Sequence, residues 1–242
     1  MRRSVLFAAA AVLVLSGCGE SRAEDAGPDV SRSFQVAGFD RIEVAGPYNV
    51  QVTTGAQPGV SARGPDKIVG HMVVEVENGT LKIHPEKRKG MFGGWNWGSQ
   101  RGTAQVAVNV PMLRAAEIAG SGDMNINRIA TDSFRGTIAG SGNLKLGEVQ
   151  VKELGLEIAG SGNVVGKGEA QSVHYEVAGS GNIRGGEIAS DVANVEIAGS
   201  GNIDAHARST AKVEIAGVGN VRITGGAKCT IDKAGVGNVV CS

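Results

Sequence analysis

The residue types that could do chemistry in this 242-residue chain recur on a fixed spacing. A short glycine-rich motif has its first glycine at Gly120, Gly140, Gly160, Gly179, Gly199, Gly217 and Gly235. Three residues before each stands Glu117, Thr137, Glu157, Glu176, Glu196, Glu214 or Asp232. The unbroken acidic run, Glu157 to Asp232, has the chemistry of oxygen ligands for a hard cation such as calcium, or of a surface for a basic partner. The alternative is a solvated acidic face with splayed side chains. A second set lies between His84 and Gly102, where Lys87-Arg88-Lys89 precedes Phe92, Trp95 and Trp97. Both tryptophans of a chain that is only 4% aromatic are here, and a tryptophan ring suits contact with a glycan, a membrane surface or a protein. The same segment is equally well read as an over-long connection whose aromatics fold back as a cap.

Other constellations are weaker. Lys145, Arg184, Asp204 and Arg222 share the position five residues after the repeat glycine. Their mixed charge reads as pairing between neighbours rather than as a reaction centre. The histidines, His71, His84, His174 and His206, show no metal-ligand spacing, and no cofactor is expected. No Ser/His/Asp set stands out, and the glycines follow turns in every copy instead of opening a helix as a phosphate loop does. Lys plus Arg equals Asp plus Glu at 24 each, and no basic stripe is interleaved with aromatics, which argues against nucleic acid.

These residues must be positioned by what surrounds the glycines. Between them the chain alternates with period two: Leu154, Leu156 and Ile158 point one way, Glu153, Gly155 and Glu157 the other. Val213 and Ile215 alternate with Lys212 and Glu214 in the same way. That is the pattern of half-buried strands. A unit of about 20 residues cannot bury its apolar face alone, but stacked units can. The expected fold is therefore all-β, a right-handed parallel β-helix whose coils are spaced about 4.8 Å apart. The glycines supply the turn, and Asn143, Asn163, Asn182, Asn202, Asn220 and Asn238 are expected to stack as an amide ladder. A divergent upstream copy, E-V-A-G-P-Y-N, begins at Glu43.

Residues 1–17 read as a lipoprotein signal peptide. Arg2 and Arg3 are its basic start, and Val5 to Leu15 form an apolar run too short to cross a bilayer comfortably. Leu15-Ser16-Gly17-Cys18 resembles the bacterial lipobox, which implies lipidation of Cys18 and anchoring to a membrane of the cell envelope. The outer membrane is expected, with the domain facing the periplasm or the surface. Residues 18–33 are small and polar, as in a flexible tether. Residues 34–242 are expected to be the β-helix, with less regular coils over 34–110, a hairpin at Asn78-Gly79 and regular coils over 111–242. Export makes a Cys229–Cys241 disulfide plausible against two free thiols.

The recurrent A-G-S-G-N/D turn, with Val110 to Ile118 (V-P-M-L-R-A-A-E-I) before its first copy, resembles the head GIN domain family of auto-transporter adhesin-like proteins. The resemblance spans about Phe39 to Asn238. It implies a β-helical fold and export, and carries no assigned catalytic residues. The function expected is thus non-catalytic: a cell-envelope lipoprotein that binds, adheres or supports structure, with an envelope glycan or protein as partner. The alternative is a glycan-active β-helix enzyme of the polysaccharide lyase or hydrolase type.

Overall fold

A computed structural model describes residues 27–86 and 102–242. In chain order the elements are β1 (Asp29–Phe34), β2 (Arg41–Ala45), β3 (Tyr48–Thr54), β4 (Gly59–Pro65), the single turn α1 (Asp66–Val69), β5 (Met72–Glu77), β6 (Thr80–Pro85), β7 (Ala104–Val110) and β8 (Ala115–Gly120). The regular coils follow: β9 (Asp123–Gly140), β10 (Asn143–Gly160), β11 (Asn163–Gly179), β12 (Asn182–Gly199), β13 (Asn202–Gly217), β14 (Asn220–Thr224), β15 (Lys228–Gly235) and β16 (Asn238–Cys241).

The period-two alternation predicts these strands, and its interruptions predict where they bend. In β10, Leu144, Leu146, Val149, Val151, Leu154, Leu156 and Ile158 are buried. Gly147-Glu148 and Lys152-Glu153 place two outward residues in succession. Each such pair turns a corner, so one continuous strand wraps three short faces around the core. β9 to β13 pair in parallel, with the repeat glycines in register: Gly140 on Gly160, Gly160 on Gly179, Gly179 on Gly199 and Gly199 on Gly217. The fold is a parallel β-solenoid, as the spacing predicts. Its interior is a single cluster running from Phe39 to Ile223.

The turn glycine is required here. At Gly160 φ is +140°, and a Cβ would lie 2.2 Å from the Gly140 carbonyl oxygen. Beside this turn the ladder closes: the Nδ2 of Asn163, Asn182, Asn202 and Asn220 donates to the Oδ1 of the preceding Asn at 2.7–2.9 Å. It starts on Asp123, whose Oδ1 accepts from Asn143 Nδ2 at 2.7 Å.

The N-terminal third is not stacked in chain order. β2 and β3, carrying the divergent E-V-A-G-P-Y-N copy, lie on β8 and β9. β6 and β7 come later in the chain but stack on the far side of β2 and β3. Antiparallel strands finish this end: β5 turns onto β6 through Asn78-Gly79, both with positive φ, and β4 covers β7. β1 then covers β4 along all six of its residues. The domain therefore begins before residue 34. Val30 and Phe34 pack against the core, which draws residues 29–33 out of the expected tether. At the other end Cys229 and Cys241 form a disulfide with Cα atoms 6.6 Å apart.

Candidate functional site

The parallel register turns the acids into a column. Glu43, Glu117, Thr137, Glu157, Glu176, Glu196, Glu214 and Asp232 occupy one outward position in successive coils. Like charges in adjacent rungs repel, and the column is relieved locally by cations. Lys212 Nζ pairs with Glu214, and Lys82 Nζ lies 2.8 Å from Glu77 Oε2 next to Glu43 in register. Among the described residues Glu117 has no such partner. Partial burial, then the carboxylates of Glu43 and Glu157, hold its pKa above the usual carboxylate range. Among the described residues, no group of three His, Cys, Asp or Glu side chains is placed to hold a metal ion. One column presents carboxylates from one side only, without the enclosing ligands calcium takes.

Part of this face forms a groove around Gly155. Three consecutive strands each present three outward positions: Ser133, Arg135 and Thr137 from β9; Glu153, Gly155 and Glu157 from β10; Ser172, His174 and Glu176 from β11. Gly155 is the centre of this grid. Arg135 and His174 stand one coil away on either side, and Glu153 and Glu157 two residues away along the strand. The result is a groove of about 500 Å³ extending to Arg114 at one end and Asn194 at the other. It continues past Asn194 toward Lys212 and Glu214.

The polar groups around Gly155 are not closed on one another. Arg135 Nη1 is 4.0 Å from Glu157 Oε2 and His174 Nε2 is 3.8 Å from Glu176 Oε2, both beyond hydrogen-bond length. The Glu153 carboxylate has no hydrogen bond or ion pair among the described residues. Elsewhere on the surface some pairs are tight, as at Lys152 Nζ–Asp132 Oδ1, 2.9 Å, and others are as long as those in the groove, as at Arg128 Nε–Glu148 Oε2, 3.7 Å. The groove thus keeps unused donors and acceptors facing solvent.

The family described as "Putative auto-transporter adhesin, head GIN domain" matches residues 38–227. The chain belongs to that family. This head GIN domain is also similar to solved structures. One is a putative adhesin from Bacteroides fragilis, 22% identical, with a TM-score of 0.78 over 90% of this chain and 99% of that one. A second is a putative lipid binding protein from Parabacteroides distasonis, 23% identical, TM-score 0.70, covering 90% and 98%. A third is a putative adhesin from Parabacteroides merdae, 17% identical, TM-score 0.67, covering 89% and 97%. At these identities the likeness is one of fold. No curated protein is significantly similar.

The remaining residues singled out from the sequence of this head GIN domain fall as follows. Lys145, Arg184, Asp204 and Arg222 form one column on the face after the turn, where Arg222 Nε lies 4.0 Å from Asp204 Oδ1. His174 faces outward into the groove. Cys18 and the Lys87, Arg88, Lys89, Phe92, Trp95 and Trp97 segment lie outside the described residues. Sequence reasoning passed over Gly155 as a site. The signal was present, since it is a glycine at an outward position in mid-strand, where other coils carry Arg135, His174, Asn194 and Lys212. No helix among the described residues is long and apolar enough to cross a membrane.

Proposed function

We propose that this protein is a non-catalytic, lipid-anchored component of the cell envelope that binds an envelope glycan or protein in an adhesion-like role. Membership of an adhesin-like family supports an envelope or surface location. The lipobox at Leu15-Ser16-Gly17-Cys18 supplies the anchor, in a membrane reached by export. The observation that carries the binding role is the groove over Gly155, whose polar groups are exposed and left short of hydrogen-bond partners on an otherwise repetitive surface. The lipid-binding description of one structural neighbour has less support here, because the outward groups of this groove are polar. A glycan-active enzyme has less support as well. The family model that the chain matches is described by adhesion and not by a reaction. A second contact surface in this reading is Phe92, Trp95 and Trp97 with the basic run Lys87 to Lys89.

The anchor is tested by Cys18→Ser, expected to abolish labelling by a fatty-acid probe and to move the protein from the membrane to the soluble fraction. The binding role is tested by capture from envelope extract on the immobilised full-length chain. Specific retention of a glycan or protein is expected. Degradation of polysaccharides by the chain, with no retained partner, sinks the reading in favour of the enzyme. A Trp95→Ala/Trp97→Ala variant that retains full capture removes the aromatic segment from the contact surface.

A further inference from the structure

The glycines of the coils divide into those the fold requires and those it does not. At the turns a Cβ would strike the carbonyl oxygen of the previous coil, 2.0 Å away at Gly235 and 2.3 Å at Gly140. Inside the solenoid a Cβ at Gly136 would lie 2.8 Å from a Leu144 methyl, and one at Gly185 would lie 2.5 Å from the Tyr175 hydroxyl. Gly155 is different. Its φ is outside the left-handed region, and its Cβ would meet nothing nearer than the Phe134 carbonyl oxygen at 4.0 Å. It stands in mid-strand, where glycine weakens a sheet and often marks close approach by another molecule. Gly59 and Gly186 also have room. However, Gly59 opens β4, and Gly186 lies where the β12 register is interrupted between Arg184 and Ala189. Neither lines the groove.

The side chain missing at Gly155 therefore creates the groove rather than serving the coil. The surrounding chemistry narrows the occupant. Carboxylates accept hydrogen bonds only, a guanidinium donates only, and hydroxyls and imidazole do both. Around Gly155 these alternate, with Arg135 and His174 along the solenoid axis, Glu153 and Glu157 along the strand, and Ser133 and Ser172 at the corners. A ligand dense in hydroxyls, each both donor and acceptor, satisfies such a frame. An acyl chain does not, because the outward groups are polar. A polyanion meets Glu153, Glu157 and Glu176, and an apolar protein anchor finds no deep pocket. The volume of about 500 Å³ is within the range of small-molecule sites.

We infer that the groove over Gly155 is a subsite for a neutral, hydroxyl-rich glycan, one sugar residue of which occupies the space left by the absent side chain. The inference rests on the adhesion-like reading and gives that reading its ligand class. It also assigns Arg135, Glu153, Glu157 and His174 as the polar contacts.

The test is an array of immobilised neutral and acidic oligosaccharides, probed with the full-length chain and with Gly155→Gln, Arg135→Ala and Gly186→Gln. The parent is expected to bind neutral chains. Gly155→Gln fills the groove and is expected to lose at least ~10-fold in affinity while melting at or above the parent temperature. Arg135→Ala should lose affinity comparably, and Gly186→Gln should bind as the parent does. Retention of parental affinity by Gly155→Gln overturns the site. Parent binding to acidic chains only overturns the ligand class. If the parent binds no oligosaccharide yet is retained by envelope extract, the glycan inference fails and the adhesion-like reading stands. If it binds neither, both fail.

Discussion

Tyr175 is fully buried, and its hydroxyl is without a hydrogen-bond partner among the described residues. Burial raises its pKa well above the ordinary tyrosine value. The ring fits because Gly185 faces it without a Cβ. An unsatisfied buried polar group is destabilising, so Tyr175→Phe is expected to raise unfolding stability by about 1–2 kcal/mol in urea titration. Gly185→Ala is expected to lower it by about 1–3 kcal/mol through overpacking. A loss of stability in Tyr175→Phe would show that the hydroxyl is satisfied after all. Glu117 makes a pH-dependent case. Its raised pKa means that the folded protein holds a proton that the unfolded chain has already released. Stability therefore falls as pH rises from the ordinary carboxylate value through the raised one, and the penalty persists above it. Glu117→Gln is expected to raise the melting temperature at neutral pH, with the gain vanishing below the carboxylate range. A gain independent of pH would point to a different cause.

In the elements, the asparagine ladder ties the coils together beside each turn. Asn182 donates to Asn163 and accepts from Asn202, so its removal breaks two bonds. Asn182→Ala is expected to cost about 1 kcal/mol or more by chemical denaturation. Asp123→Asn is expected to be nearly neutral, because the amide oxygen still accepts from Asn143. Equal losses in the two variants would mean that the carboxylate charge at the head of the ladder matters more than the amide chain. The ladder and the acid column were both legible in the sequence, because residues at one offset from a periodic turn must share one column in a parallel sheet. The groove was not. It depends on Gly155 lying between Arg135 and His174, a relation across three strands that becomes visible only with the register.

On the scale of the whole molecule, each regular coil pairs only with its neighbours, so stability is close to a sum of local terms. The last coil pairs on one side, and its inward Ile231, in register with the buried Val213, remains 48% exposed. The Cys229–Cys241 bridge closes this coil over a separation of 12 residues. Such a loop restrains the open chain by about 3 kcal/mol in the entropy model. Cys229→Ser/Cys241→Ser is expected to abolish hydrogen-exchange protection in β15 and β16 while leaving β9 to β12 unchanged. Loss of protection throughout would show that the solenoid unfolds as one cooperative unit from this end.

The fold class, the coil length, the turn and the outward columns follow from the amino-acid order, since a repeated turn with alternating apolar residues has one economical way to bury its core. The order of coils at the N-terminal end does not follow from it. There β6 and β7 stack outside β2 and β3 although they come later in the chain, because the pairing edges of β2 and β3 are shared between two partners. Local sequence does not state which partner takes which edge. The same holds for the start of the domain. Residues 29–33 are polar enough to read as tether, and they become a strand with Phe34 because β4 offers them a free edge. The groove over Gly155 is the clearest case, since a glycine's role depends on what surrounds the space it leaves.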